Sequence, residues 1–111
     1  MVRPTKFEIE HQTNGTSLVL SITGELDLNT VDTLTRQVGQ YVQAATTSLT
    51  LDLSELTFMD SSGLALLIAL SHRSEQDTWQ LRLIPSRHEA AMLVLRATGA
   101  DAALPFDRSS E

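Results

Sequence analysis

Two adjacent serine hydroxyls stand between an acidic residue and a glycine, in the run Asp60-Ser61-Ser62-Gly63. Small polar residues of this kind typically end a strand and cap the helix that follows. A helix N-terminus presents unpaired backbone N–H groups and about half a positive charge, so it suits a capping oxygen or an anion. An accessible serine here can carry a phosphoryl group. The alternative from these residues alone is that Ser61 or Ser62 only caps the helix, which is worth about 1 kcal/mol.

The other chemistry-bearing residues favour no catalytic or metal centre. His11, His72 and His88 lie in polar surroundings, and none has a partner at a metal-ligand spacing such as H-x-x-x-H. Ser61 is not part of a G-x-S-x-G motif, and neither G-x-x-x-x-G-K-S/T nor G-x-G-x-x-G occurs. We therefore predict no metal and no cofactor, and we disfavour both a hydrolase and a phosphate-loop nucleotide site.

The composition indicates one small acidic domain. With 111 residues, of which 41% are hydrophobic, the chain can bury about two-thirds of its unfolded surface. A net charge of −6 without runs of like charge disfavours nucleic acid and anionic membranes as partners. The absence of cysteine excludes disulfides and thiolate ligands and is compatible with the cytoplasm. Because no segment resembles a signal peptide or an 18-residue apolar span, we expect no membrane insertion.

The serines lie on a predicted strand-to-helix hinge. Residues Leu49–Leu53 alternate between leucine and polar residues, which is typical of a strand buried on one face. Phe58 and Met59 follow in a predicted short connection. After the serines, apolar residues recur at i, i+3 and i+4 from Leu64 to Ile68, so the period changes to that of a helix.

The preceding segment predicts a hairpin and a helix. Alternation over Lys6–Glu10 and Leu18–Ile22, separated by the Asn14-Gly15 pair, indicates an antiparallel hairpin. A helix should follow from Asn29, with Asp32 completing a variant capping box. Its apolar stripe is predicted to contain Val31, Leu34, Val38, Tyr41 and Val42, with Gly39 kept for close packing.

The C-terminal part predicts a further strand and helix. Trp79–Leu83 alternates like a strand, and Ser86 with Glu89 forms a predicted capping box. The helix should present Ala90, Leu93, Val94 and Ala97 as its apolar face and should end at Gly99. Leu104–Phe106 is a predicted short final strand, restricted to an edge by its proline.

These elements predict an α/β fold in the order ββαβαβα(β). Strands joined through helices are expected to be parallel, so a mixed sheet of four to five strands should result, with an antiparallel opening hairpin. Because the strands alternate instead of being continuously apolar, the helices should lie mainly on one face.

Two motifs resemble those of the STAS family, and more narrowly its bacterial anti-anti-sigma factors. The first is Asp60-Ser61-Ser62-Gly63-Leu64, preceded by Leu51-Asp52-Leu53 and Phe58-Met59, and the second is Gly24-Glu25-Leu26-Asp27. The similarity extends from about Phe7 to Phe106. It implies a single STAS domain over residues 1–111, with a core at about 6–106.

The resemblance implies an anti-sigma factor antagonist, not an enzyme. The unphosphorylated form would bind a serine-kinase anti-sigma factor and free a sigma factor, as in stress response or sporulation. The kinase would phosphorylate Ser61, or alternatively Ser62, and a metal-dependent serine phosphatase would reverse this. The partner-binding residues carried over by the resemblance are Gly24, Glu25, Leu26, Asp27, Asp60, Ser61, Ser62, Gly63 and Leu64. We expect a cytoplasmic monomer or weak dimer, with the phosphate accommodated at the helix N-terminus with little rearrangement.

Other functions remain open from the sequence. A STAS subunit of an ABC-type transporter or lipid-trafficking complex would use the same surface without phosphorylation, and some STAS domains are proposed to bind nucleotides. The chain also departs from the family pattern, with Ala65 where glycine is frequent and only five residues after Phe106, where members commonly add a helix.

Overall fold

The chain opens with a β-hairpin, as its turn signal predicts. The structure, a computed structural model that describes residues 6–107, has β1 at Glu8–Asn14 and β2 at Ser17–Leu26. The strands run antiparallel, and the connection between them is only Gly15-Thr16. Gly15 has φ +64°, a left-handed conformation that glycine adopts without steric cost.

Further strands and helices alternate after the hairpin. Their bounds are α1 Val31–Tyr41, β3 Ser48–Asp52, β4 Leu56–Met59, α2 Ser61–Asp77, β5 Gln80–Ile84, α3 Glu89–Thr98 and α4 Ala100–Ala103. The predicted α/β class is confirmed. None of the helices within residues 6–107 is long and apolar enough to cross a membrane.

The sheet is mixed, as predicted, and β2 makes most of its pairings. Four strands follow the order β1-β2-β3-β5, and β4 pairs with β2 outside this path. β2 pairs antiparallel with β1 and parallel with β3 and β4, while β3 pairs parallel with β5. β2 changes neighbour along its length, because residues 17–21 pair with β3 and residues 24–26 pair with β4.

Two strand assignments from the sequence are wrong. Phe58 and Met59 belong to β4 instead of a connection. This strand has only four residues, too few for a period of two to be recognised. Leu104–Phe106, predicted as a strand, makes a single bridge between Phe106 and Leu83 after the short helix α4. Pro105 has no N–H to donate, which limits any ladder at this edge.

Alternate residues of the strands form the hydrophobic core, as the sequence predicts. β2 buries Leu18, Leu20, Ile22, Gly24 and Leu26, whereas the residues that alternate with them are half-buried or exposed. The leucine and isoleucine side chains form one cluster with buried residues of α1, α2 and α3. The largest fully buried side chains are Leu20, Ile22, Leu26, Leu34, Val38, Leu49, Leu51, Leu53, Leu56, Leu67, Leu83 and Leu95. Each contributes about 1.5–3 kcal/mol through removal from water.

The helix starts differ from the predicted capping boxes. Thr30 is the N-cap of α1, and the Asn29 N–H instead donates to Asp27 Oδ1 at 2.9 Å. At α3 the N-cap is His88, while the Ser86 hydroxyl accepts from the His88 N–H at 2.9 Å. Aspartate and serine side chains close local turns as readily as they cap helices. Here Asp27 and Ser86 each accept from the backbone N–H two residues further on, so they form turns and do not cap the helices.

Several predicted helix features are also corrected. α3 buries Ala91, Met92 and Leu95 instead of the predicted stripe, because it packs against β4 through that side, and Leu93 is 61% exposed. α2 extends beyond the apolar period at Leu64 to Ile68 and continues to Asp77. A Cβ on Gly39 would meet no atom within 4 Å, so close packing is not the reason for this glycine. Gly99 does end α3, with φ +78°.

Candidate functional site

Asp60, and not a serine, caps the helix at the predicted hinge. Asp60 has an extended backbone at the end of β4, and its Oδ1 accepts from the N–H groups of Ser62 at 2.8 Å and Gly63 at 3.3 Å. The Leu64 N–H donates to the Asp60 carbonyl at 3.2 Å. The alternative in which Ser61 or Ser62 is the N-cap is therefore wrong.

The two serines differ in exposure. Ser61, the first residue of α2, is exposed, and Ser62 is half-buried. Neither hydroxyl makes a hydrogen bond within residues 6–107, so neither is engaged in holding the fold. The Ser61 hydroxyl is the more accessible of the two.

Gly63 allows α2 to lie against β2. A Cβ at this buried position would be 2.6 Å from Met59 Cγ and 2.9 Å from the Leu26 carbonyl oxygen. Real Cβ atoms do not approach backbone oxygens this closely, so a larger residue must push the first turn of α2 away from the sheet. Gly63 therefore sets how closely the first turn of α2 approaches the end of β2.

The segment Gly24–Asp27 lies directly beside the serines. The Asp60 N–H donates to the Leu26 carbonyl at 3.2 Å, which joins the end of β2 to the start of α2. Leu26 itself is fully buried, so it positions this surface through its carbonyl and does not offer its side chain to a partner. Gly24 is also buried, whereas Glu25 is exposed and Asp27 is half-buried.

A local network fixes the connection after β2. The Thr30 hydroxyl donates to the Glu25 carbonyl at 2.7 Å and accepts from the Asp27 N–H at 3.0 Å. These bonds turn the chain from β2 into α1 and leave the Leu28 side chain 73% exposed. Leu28 was missed from the sequence, because nothing in an isolated leucine after a strand indicates which way the loop will turn it.

Exposed apolar side chains lie on the same side of α2 as Ser61. Ala65, Ile68 and Ala69 follow Ser61 at helical spacing on the outer side of α2, and Ile68 is 40% exposed. Ile68 belongs to the apolar period that predicted this helix, but the buried residues of α2 are Gly63, Leu67, Leu70 and Ser74. Leu28 is also exposed, two residues after the Leu26 carbonyl that accepts from Asp60, and Leu28, Ala65, Ile68 and Ala69 are called the apolar surface around Ser61.

Phe58 is exposed on the face of the sheet that is turned away from the core. It pairs with Glu25 in the sheet, and both are exposed, whereas the next pair, Leu26 with Met59, is buried. Because successive strand residues point to opposite faces, Phe58 and Glu25 lie on the face away from the core.

The charge around Ser61 is negative. The ion pairs within the described residues are Arg73–Asp77, Arg82–Asp107, Arg87–Glu55 and Arg96–Glu89, so none of them neutralises Asp27 or Asp60.

The histidines contribute nothing to this site. The described part of the chain holds no group of three or more metal-ligating side chains, and His11 stacks on Tyr41 with ring centroids 4.1 Å apart.

Fold and site together define a class of protein: a small α/β domain whose sheet edge displays an exposed serine hydroxyl among exposed apolar side chains. Comparison with known families identifies it further. The family described as "Mlab, STAS domain" matches residues 9–105, and the chain belongs to this STAS family. The family resemblance in the sequence is thereby confirmed.

Individual relatives agree with this assignment. The chain is 43% identical over 58 residues to the anti-sigma-F factor antagonist RsfB of Mycobacterium tuberculosis, in strains CDC 1551 / Oshkosh and ATCC 25618 / H37Rv. The match covers 52% of this chain and 48% of RsfB, so it spans about half the length of these curated relatives.

Solved structures match over more of the chain. An anti-sigma factor antagonist from Mycobacterium paratuberculosis is 25% identical with a TM-score of 0.79, over 94% of this chain and 87% of that one. The anti-sigma factor antagonist SpoIIAA in its unphosphorylated form is 25% identical with a TM-score of 0.63, over 84% of this chain and 80% of that one.

Proposed function

We propose that this protein is an anti-sigma factor antagonist regulated by phosphorylation of Ser61. Its unphosphorylated form binds a serine-kinase anti-sigma factor, which then releases its sigma factor. The single observation that carries the proposal is the exposed Ser61 hydroxyl at the start of α2, beside exposed apolar side chains. The names of RsfB and SpoIIAA support the same function.

Ser61 is a better acceptor than Ser62 because of its exposure. In the proposed step the kinase transfers the γ-phosphoryl group of ATP to Ser61 Oγ. The Oγ–P bond forms as the bond to ADP breaks, and the hydroxyl proton passes to a base of the kinase. A metal-dependent serine phosphatase hydrolyses the ester with water and restores the hydroxyl. This protein is the substrate in both steps, and it acts on the sigma factor pathway through binding.

The charge of a phosphate on Ser61 is sufficient to dissociate the complex with the anti-sigma factor. A phosphoserine adds about −1.5 to −2 charges. A partner carboxylate about 4 Å away near the surface would be repelled by about 4 kcal/mol per unit charge pair, and about 1.4 kcal/mol already changes affinity tenfold. One phosphoryl group on Ser61 therefore abolishes binding if the partner presents acidic groups there.

Mapping the phosphorylation site tests the proposal. We expect the protein isolated from its own host to carry one phosphoryl group by intact-mass analysis, and this group to be lost in Ser61→Ala but kept in Ser62→Ala. Ser62→Ala is the matched control, since it removes the neighbouring hydroxyl from the same helical turn. Loss only in Ser62→Ala would move the acceptor by one residue. An unmodified protein under every growth condition would contradict the switch and favour a STAS subunit that binds without phosphorylation.

Leu28 is expected to be an anchor for the partner. Burial of a leucine side chain is worth about 1.5–3 kcal/mol, so Leu28→Ala should weaken the complex with the kinase about ten- to a hundredfold in calorimetric titration. Leu93→Ala is the matched control, because Leu93 is similarly exposed but lies on α3, outside the apolar surface around Ser61. Both variants should unfold at the same urea concentration as the parent. Equal affinity losses in the two variants would refute this surface.

A further inference from the structure

Asp60 already occupies the helix N-terminus that a phosphate on Ser61 would otherwise use. Its Oδ1 accepts the Ser62 and Gly63 N–H groups at 2.8 and 3.3 Å, and its carbonyl accepts the Leu64 N–H at 3.2 Å. In the first turn of α2 only the N–H of Ser61 lacks an acceptor within residues 6–107. The sequence-based expectation that this terminus accommodates the phosphate does not fit this geometry.

The negative charge near Ser61 also disfavours a phosphate at the N-terminus of α2. A phosphate that folded back to the helix would have to displace the Asp60 carboxylate while being repelled by it. The connection after β2, which is bonded to this turn through Leu26, carries the second carboxylate, Asp27. Neither carboxylate has a basic ion-pair partner within the described residues, so their charges are not neutralised there.

We propose that Asp60 is a positioning residue that holds the phosphate of phospho-Ser61 away from the helix and directed outward. This proposal rests on Ser61 as the acceptor. The outward phosphate is presented to the partner surface, where its charge opposes binding, and it stays accessible to the phosphatase. The Asp60 carboxylate thus has two effects. Its oxygen accepts the Ser62 and Gly63 N–H groups, and its charge repels the phosphate.

A cycle of variants separates these two effects. Phosphoserine or serine is incorporated at position 61 during translation in the parent chain, in Asp60→Asn and in Asp60→Ala. Asp60→Asn keeps a capping oxygen without its charge, and Asp60→Ala frees both N–H groups. The change in melting temperature caused by the phosphoryl group is measured within each background at low ionic strength, so that the loss of the cap itself cancels.

The expected results differ in sign. The phosphoryl group should lower the melting temperature of the parent chain, have a smaller effect in Asp60→Asn, and raise it in Asp60→Ala, where the phosphate replaces the missing cap. In Asp60→Ala the phosphoryl group should also slow amide exchange at Ser62 and Gly63, and a metal-dependent serine phosphatase should release it more slowly than from the parent.

The same change in all three backgrounds, or a rise in the parent chain, would overturn the proposal. If Asp60→Ala does not fold, the comparison of the parent with Asp60→Asn decides the charge effect, because equal shifts in these two would refute it. Since the phosphoserine is incorporated directly, the result does not depend on whether a kinase modifies Ser61 in the host. The site-mapping experiment can therefore refute Ser61 as the acceptor in the host, while the variant cycle separately refutes the role of Asp60.

Discussion

Leu51→Ala is expected to lower the free energy of unfolding by about 2–5 kcal/mol, which is a large part of the roughly 5–15 kcal/mol that a domain of this size possesses. Leu51 lies in β3, an inner strand of the sheet, and pairs with Leu20 of β2 and Leu83 of β5. All three side chains are fully buried. The truncation would remove contacts from the middle of the sheet and leave a cavity that neighbouring strands cannot close.

Urea denaturation measures this loss as a lower midpoint with an unchanged slope. Thr50→Ala is the matched control, because Thr50 precedes Leu51 in the same strand but points to the opposite face and is half-buried. It should cost less than about 1 kcal/mol. If both variants lose the same stability, the core does not lie on the face of β3 that carries Leu51.

Gly24→Ala is expected to be nearly as damaging, at about 2–4 kcal/mol, through backbone strain combined with a clash. Gly24 has φ +105°, and a Cβ there would be 2.9 Å from Phe7 Cα and 3.0 Å from the Lys6 carbonyl oxygen. Both contacts are with backbone, which cannot rotate aside like a side chain. Relief of the clash therefore requires displacing the segment that precedes β1 or the end of β2.

Gly15→Ala separates the backbone strain from the steric clash. Gly15 also has positive φ, at +64°, but a Cβ there would meet nothing within 4 Å. Its replacement should cost only the strain of the left-handed conformation, about 1–2 kcal/mol. The comparison is made by urea denaturation of both variants. A loss at Gly15 as large as that at Gly24 would mean that the contacts with Lys6 and Phe7 are unimportant.

The strands with long alternation were predictable from the sequence, and the short or ambiguous elements were not. Leu18 to Ile22 and Leu49 to Leu53 alternate over enough residues to define both the strand and its buried face. β4 is too short for this signal and is recognised only through its pairing with β2. α3 has apolar residues on more than one side, so only its packing against β4 decides that Met92 is buried and Leu93 is exposed.

The candidate site was predictable in position but not in detail. The change of period after Asp60 located the hinge correctly, yet the three adjacent polar residues Asp60, Ser61 and Ser62 gave no way to choose the N-cap. The structure assigns that role to Asp60, because its carboxylate reaches two N–H groups. Leu26 was expected to contact the partner and Leu28 was missed, but strand alternation buries Leu26, and the turn fixed by Thr30 exposes Leu28.

The varied pairing of β2 has a consequence for the order in which the molecule folds. The hairpin of β1 and β2 is local and can close within about 1–10 μs, whereas β3 and β4 join β2 through contacts between residues 31 and 33 apart. Closing these longer loops costs more chain entropy, so we expect β2 to be in place before either strand adds to it. The segment that ends beside Ser61 would then be among the earliest ordered parts of the chain. The surface beside Ser61 would take its shape early in folding and need not be assembled last.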